Sequence, residues 1–200
     1  MRVFTLLFMF LIFISTTVQG QDVNTTDLPY YQIPDTSEKF TAGTVAARVI
    51  DGLGFRYYWA TEGLRNEDLN YKPNDSARTT LETINHIYGL SKVIVNATTK
   101  TVNDFTIEQS VLTYKEKRKK TLENIKLASD ILKTSSAEEI EKFIIIFKSK
   151  NGISEYPFWN NLNGPIGDAL WHTGQVVLLR RASGNPFNSK VSLLRGKLRN

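Results

Sequence analysis

Residues 41–64, TAGTVAARVIDGLGFRYYWATEGL, carry a helical pattern of small and apolar residues. Small and apolar residues recur in this stretch with spacings of 4, 3, 4, 3 and 4 residues. They are Ala46, Ile50, Leu53, Tyr57, Ala60 and Leu64. Such spacing lines one side of a helix with a continuous apolar seam that packs against neighbouring helices. The stretch therefore predicts a packed helix that ends near Gly63.

Three further helices are expected along the chain. The second is expected over about residues 76–98, where Thr79 and Glu82 have the spacing of a capping box. The third is expected over about residues 107–134, and the fourth from about 157 to 183. Four helices joined by loops predict an all-α fold, specifically a four-helix bundle.

One segment leaves two structures open. Residues 143–149 form a β-branched and aromatic run that follows a capping box of Ser136 and Glu139. Periodicity cannot separate helix from strand in so short a run, so the sequence does not decide between them there.

The N-terminus predicts export. Residues 1–20, MRVFTLLFMFLIFISTTVQG, combine an early arginine, an apolar run and small residues before a cleavage site, as secretory signal peptides do. We expect cleavage between Gly20 and Gln21, then an extended arm over residues 21–40 and one domain over residues 41–200.

The predicted location is secreted or periplasmic. The apolar run is shorter than the roughly 20 residues that span a bilayer, and no cysteine follows the cleavage site to carry a lipid. We therefore expect neither a lipoprotein nor stable membrane insertion after cleavage. N-terminal sequencing of the protein from its native host tests this, and a mature chain still beginning at Met1 would refute it.

The composition restricts the chemistry that the chain can carry. With no cysteine it has neither disulfides nor thiolate ligands, so only imidazole and oxygen groups could hold a metal. Much of the formal net charge of +5 comes from a basic run at residues 115–120. That run lacks the interleaved aromatics and the reading module of nucleic-acid-binding proteins, so no nucleic-acid partner is expected.

Two histidines and one aspartate are the candidate metal ligands. Asp168 and His172 are four residues apart and share one face of the fourth helix, and His86 lies at the inner flank of the second. Two imidazoles and a carboxylate leave coordination positions open, as in catalytic zinc and non-haem iron sites. Glu82 and Gln175, each one turn from a histidine, are candidates to orient the ligands.

A structural explanation fits the same residues. If the fourth helix begins at Pro165, Asp168 lies in its first turn, where the helix dipole favours a carboxylate by about 0.3–1 kcal/mol. His172 would then be a core histidine that donates to a carbonyl. Against this, an ionised carboxylate facing a bundle interior costs several kcal/mol unless paired, and a cation would be such a partner.

Two segments resemble the DinB-like superfamily of four-helix proteins that hold a divalent metal through three histidines. They are DSARTTLETINHIYGLSKVIVN at residues 75–96 and NGPIGDALWHTGQVVLLRRASGNP at residues 163–186. The resemblance implies that His86 and His172 are metal ligands, because they match the family's first and last histidine. Asp168 stands in place of the middle one. Since a carboxylate ligates the same metals, the exchange either preserves the site with an altered metal preference, weakens it or abolishes it.

The resemblance also implies a class of activity. Members include thiol-dependent transferases, and the implied cofactor is a divalent ion such as zinc, nickel, iron or manganese. We expect a metal-dependent hydrolase or thiol-dependent transferase that acts on a small molecule, although export disfavours the thiol. The alternative is a non-catalytic ligand-binding or envelope protein that retains the bundle. Two copies could also pair as a homodimer through an aromatic face, which nothing in the sequence selects.

Overall fold

The computed structural model of the protein describes residues 28–200, which form helices, one π-helical turn and two small sheets. In chain order the helices are α1 (Ala42–Thr61), α2 (Asn66–Asn70), α3 (Thr80–Thr99), α4 (Tyr114–Thr134), α5 (Ala137–Ile140), α6 (Phe158–Asn161) and α7 (Gly167–Ala182). The strands are β1 (Val102–Asp104), β2 (Ile144–Ser149), β3 (Gly152–Pro157), β4 (Val191–Ser192) and β5 (Lys197–Leu198).

The predicted all-α fold, a four-helix bundle alone, is wrong, because the chain forms an α/β fold. About 55% of the described residues are helical and 11% lie in strands, so the strands are too extensive for an all-α class. β1, β2 and β3 form a mixed sheet in that order, while β4 pairs with β5. β2 runs parallel to β1 and antiparallel to β3. The four long helices are present, but they share the fold with these sheets.

The segment whose structure the sequence left open is strand β2. Its Ile145 is buried with Val93 and Ala97 of α3, so the sheet covers one side of that helix. The turn into β3 places Gly152 at a φ of 119°, which glycine adopts without strain. Pairing on both edges of β2 makes the run a strand, and such pairing leaves no trace in local periodicity.

The main apolar core lies between the four long helices. α1 and α3 each pack against both α4 and α7. The seam predicted on α1 is confirmed, since it is buried from Ala46 to Ala60. Its partners from the other helices include Ile84, Ile87, Leu122, Ile125, Leu132, Ala169 and Val176.

Capping boxes fix where α3 and α4 begin. Thr79 and Glu82 cap α3 reciprocally, as their spacing predicted. Thr113 and Glu116 make the same arrangement for α4, which therefore begins at Tyr114 rather than near residue 107.

The fourth long helix is interrupted by a π-helical turn. The backbone is helical from Phe158 through α6, the π-helical turn Leu162–Ile166 and α7. Pro165 lies in this turn. Because proline lacks an N–H and clashes with the α-helical ladder, the wider turn allows the helix to continue past it. The helical segment therefore starts well before Asp168.

Residues 28–40 pack along α1 without forming a helix or a strand. The buried Tyr30 donates its phenol hydrogen to Asp51 Oδ1 at 2.9 Å. Gly54 permits this close approach, since a Cβ there would lie 2.4 Å from the Tyr30 ring. Burial, with the nearby Asp51 carboxylate, raises the pKa of Tyr30 well above its usual range. The described part of the arm is thus held against the domain.

The predicted signal peptide, residues 1–20, and its cleavage site lie outside the described residues. Within residues 28–200, none of the helices is both long enough and apolar enough to cross a membrane.

Candidate metal centre

The three predicted ligands lie together in the structure. His86 comes from α3, whereas Asp168 and His172 come from successive turns of α7. One ligand atom from each residue lies within 4.8 Å of the other two. Residues 82 positions apart in sequence therefore meet at one point, because α3 and α7 pack side by side.

The Asp168 carboxylate bridges the two imidazoles. Its Oδ2 lies 3.0 Å from His86 Nε2, and its Oδ1 lies 2.9 Å from His172 Nδ1. The two imidazole rings meet edge to face, with centroids 4.5 Å apart. All three side chains are thus already oriented toward one another.

The hydrogen bonds fix the tautomer of His172. Its Nδ1 also lies 3.0 Å from the backbone carbonyl oxygen of Asp168. Both neighbours of Nδ1 are oxygen acceptors, so Nδ1 carries the hydrogen. Its Nε2 lies 3.5 Å from Nη1 of Arg78, and because a guanidinium only donates, Nε2 presents its lone pair. A histidine held by one nitrogen in this way has the other available for a metal.

The cluster is half-buried and open to solvent on one side. The side chains of His86 and Asp168 are 34% and 35% exposed, whereas that of His172 is 14% exposed. Trp171, 73% exposed, lies beside it with its ring centroid 6.5 Å from that of His172. A partly hydrated carboxylate has a smaller desolvation cost than the buried one expected from the sequence. Geometry, rather than burial, is therefore the argument for a metal.

The helix-start explanation of Asp168 does not hold in this structure. It required a helix that begins at Pro165, but the backbone is already helical from Phe158. The N–H of Gly167 bonds to the carbonyl oxygens of Leu162 and Gly164, so the helix has no free end beside Asp168 to favour its charge. The predicted bond from His172 to a carbonyl is present, yet such a bond also orients metal-ligating histidines.

The two residues predicted to orient the ligands lie near the cluster along their helices. Glu82 accepts hydrogen bonds from the N–H and the hydroxyl of Thr79, which hold the pKa of its carboxyl below the usual range. Gln175 is half-buried one turn after His172. Among residues 28–200, neither forms a hydrogen bond with a histidine of the cluster. Their support of the ligands stays a prediction.

The donor set fits a divalent transition metal. Two imidazole nitrogens and one carboxylate oxygen are ligands that zinc, iron, nickel and manganese share. In a tetrahedral site with ligand bonds of about 2.0–2.2 Å, neighbouring ligand atoms lie about 3.4 Å apart. One possible ligand atom from each of the three residues lies within 4.8 Å of the other two, a range that includes this value. The group of His86, Asp168 and His172 could thus hold a metal ion.

Arg78 is the residue of this site that sequence reasoning missed. It is exposed in the loop before α3 and reaches His172 across 94 positions of sequence. Neither a periodic pattern nor a motif marks it, because its place in the site arises only when α3 packs on α7. The one local indication was that Arg78 directly precedes Thr79, the N-cap of α3.

Comparisons with known proteins identify no relative for this chain. No protein family model matches the sequence, and searches of curated proteins and of solved structures found no match.

Proposed function

We propose that the protein is an exported, divalent-metal-dependent enzyme that acts on a small molecule, with His86, Asp168 and His172 as metal ligands. One observation carries the proposal: two imidazoles and a carboxylate from two separate helices converge within 4.8 Å. The likeness of residues 75–96 and 163–186 to the DinB-like superfamily adds support, as do the four long helices in the expected order.

The chain's own residues would prepare such a site in three ways. Asp168 would neutralise one charge of a divalent ion, and its two carboxylate oxygens already contact both imidazoles. The backbone carbonyl of Asp168 keeps the hydrogen of His172 on Nδ1. The partial exposure of His86 and Asp168 would leave the cluster accessible to a small substrate. When bound, a divalent ion would supply Lewis acidity toward that substrate, which suits hydrolysis or group transfer.

A non-catalytic binding role is the second candidate, and one observation favours it. Among residues 28–200, the hydrogen bonds and ion pairs of the two imidazoles are with Asp168 and Arg78. In that part of the chain, neither imidazole is hydrogen-bonded to a hydroxyl or to a carboxylate other than Asp168, so no further group is in place to exchange a proton with them. Turnover of a small ester or amide library by the metal-loaded protein would decide for the enzyme.

Metal analysis tests the proposed site. After incubation with zinc, nickel, manganese or ferrous iron and removal of unbound ions, the purified protein is expected to hold about one equivalent of at least one of them. Less than about a tenth of an equivalent of every metal would contradict the proposal.

The same measurement on Asp168→His tests the odd ligand. This variant carries three imidazoles and is expected to keep or tighten the binding of zinc or nickel, which favour nitrogen donors. Asp168→Ala is the matched removal and is expected to weaken binding. Circular dichroism checks that both variants fold. A folded Asp168→His variant that binds no metal would argue against Asp168 as a ligand.

A further inference from the structure

The Arg78 guanidinium would compete with a metal ion for the side chain of His172. Its Nη1 faces the lone pair of His172 Nε2 at 3.5 Å. A neutral imidazole has a single lone pair, and its other nitrogen carries a hydrogen. A metal that ligates His172 through either nitrogen therefore leaves the guanidinium without its acceptor. Arg78 and a bound metal cannot both use His172.

Apart from His172, Arg78 interacts electrostatically with the Glu82 carboxylate, whose pKa it helps to lower. Among residues 28–200 it forms no salt bridge within 4.0 Å, and the neighbouring carboxylate of Glu82 is bonded to Thr79. Its side chain is exposed, so it can swing away from His172 without breaking a buried contact. The guanidinium hydrogen that bonds to His172 would then be free for another acceptor.

The charges of the loaded site would favour an anion there. A divalent ion with one carboxylate and two neutral imidazoles has a net charge of about +1, and Arg78 adds another. Two positive centres at close range repel, and an oxyanion that contacts both removes the repulsion. Guanidinium binds carboxylate and phosphate through paired hydrogen bonds.

From this arrangement we infer that the site selects a small substrate bearing a carboxylate or phosphate group, which Arg78 binds beside the metal. The inference rests on the proposed function, since it requires the metal. It assigns Arg78 a role in substrate specificity, with different partners in the metal-free and the metal-bound protein. Arg78 occupies His172 when the metal is absent, and it binds the substrate's anionic group when the metal is present.

The inference predicts opposite effects of one substitution on two affinities. In Arg78→Gln, cobalt(II) is expected to bind about fivefold more tightly, because a competing cation is gone. Acetate and inorganic phosphate are expected to bind the cobalt-loaded protein at least about tenfold more weakly. Arg78→Lys keeps the charge and is expected to lie between the two. Arg195→Gln, which removes an exposed arginine between β4 and β5, is the matched control and should change neither affinity.

Cobalt absorption in the visible range reads both affinities without an activity assay. Titrating cobalt into each folded variant measures metal binding, and titrating acetate or phosphate into the loaded protein measures anion binding through the spectral shift. Equal anion affinities in the wild type and Arg78→Gln would overturn the inference and leave the proposed metal site intact. Absence of cobalt binding in the wild type would overturn both.

Discussion

Replacing Arg180 with alanine is expected to lower the free energy of unfolding by about 3–5 kcal/mol. Arg180 is 4% exposed and lies near the end of α7. Its Nη1 lies 3.0 Å from each of three carbonyl oxygens at the end of α1, those of Trp59, Ala60 and Glu62. Nη2 and Nε bind the side chain and backbone of Asn185.

The size of this effect follows from what the substitution leaves behind. The last carbonyls of a helix have no partner within it, and those of α1 meet a buried guanidinium instead of water. Alanine would strand several acceptors and open a cavity where α7 crosses the end of α1. Each unsatisfied buried acceptor costs about 1–3 kcal/mol.

Urea denaturation measures the free energy of unfolding of Arg180→Ala and of a control variant at the neighbouring Arg181. Arg181 follows directly on α7 but is exposed and stacks on Phe187, 5.8 Å from the ring centroid. Arg181→Ala is expected to change the free energy of unfolding by no more than about 0.5 kcal/mol. Equal losses in the two variants would show that the buried contacts of Arg180 do not stabilise the fold as described.

Replacing His172 with alanine is expected to weaken metal binding by at least about 100-fold, because removing a ligand should exceed the 10- to 100-fold loss typical of residues that merely orient one. His86→Ala is expected to do the same, since each histidine supplies one of three protein ligands. Competition against a chromophoric chelator measures these affinities.

Arg181→Ala provides the control for the loss of binding in His172→Ala. Arg181 is exposed on α7 and lies over the Phe187 ring, so its removal is expected to change metal affinity by less than about twofold. Gln175→Ala tests the orienting role that the sequence predicts for Gln175, and its expected loss of metal affinity is about 10-fold or more. Unchanged metal binding in His172→Ala would show that the cluster is not the metal site.

The long helices were predictable because each depends on signals within one stretch of chain. The seam from Ala46 to Ala60 has helical spacing and is buried as expected. The pair Thr79 and Glu82 caps α3 because both hydrogen bonds close within four residues. The same signal at Thr113 and Glu116 gives the start of α4, although the predicted helix began too early, near residue 107.

The sheets were not predictable in the same way. β1 has three residues, too few to show an alternating pattern. β2 becomes a strand through pairing with β1, which lies more than forty positions earlier. The prediction of an all-α fold failed because such pairing depends on tertiary contacts, whereas the apolar run of β2 is compatible locally with either structure.

The three candidate ligands could be predicted from the sequence, whereas the contacts around them could not. The spacing of Asp168 and His172 predicted the two ligands on α7, and the expected packing of the helices added His86 from α3. The bridging position of the carboxylate and the approach of Arg78 follow from the packing of α3 on α7. Pro165 favoured a helix start just before Asp168, but it lies in a π-helical turn inside a continuing helix. The carboxylate of Asp168 is therefore not explained by a helix N-terminus.

Crystals of the zinc-loaded protein, measured above and below the zinc absorption edge, test whether the three residues bind one metal ion together. We expect a single anomalous peak about 2.0–2.2 Å from one imidazole nitrogen each of His86 and His172 and from a carboxylate oxygen of Asp168. Zinc bound elsewhere, with these three side chains still hydrogen-bonded to one another, would contradict this expectation.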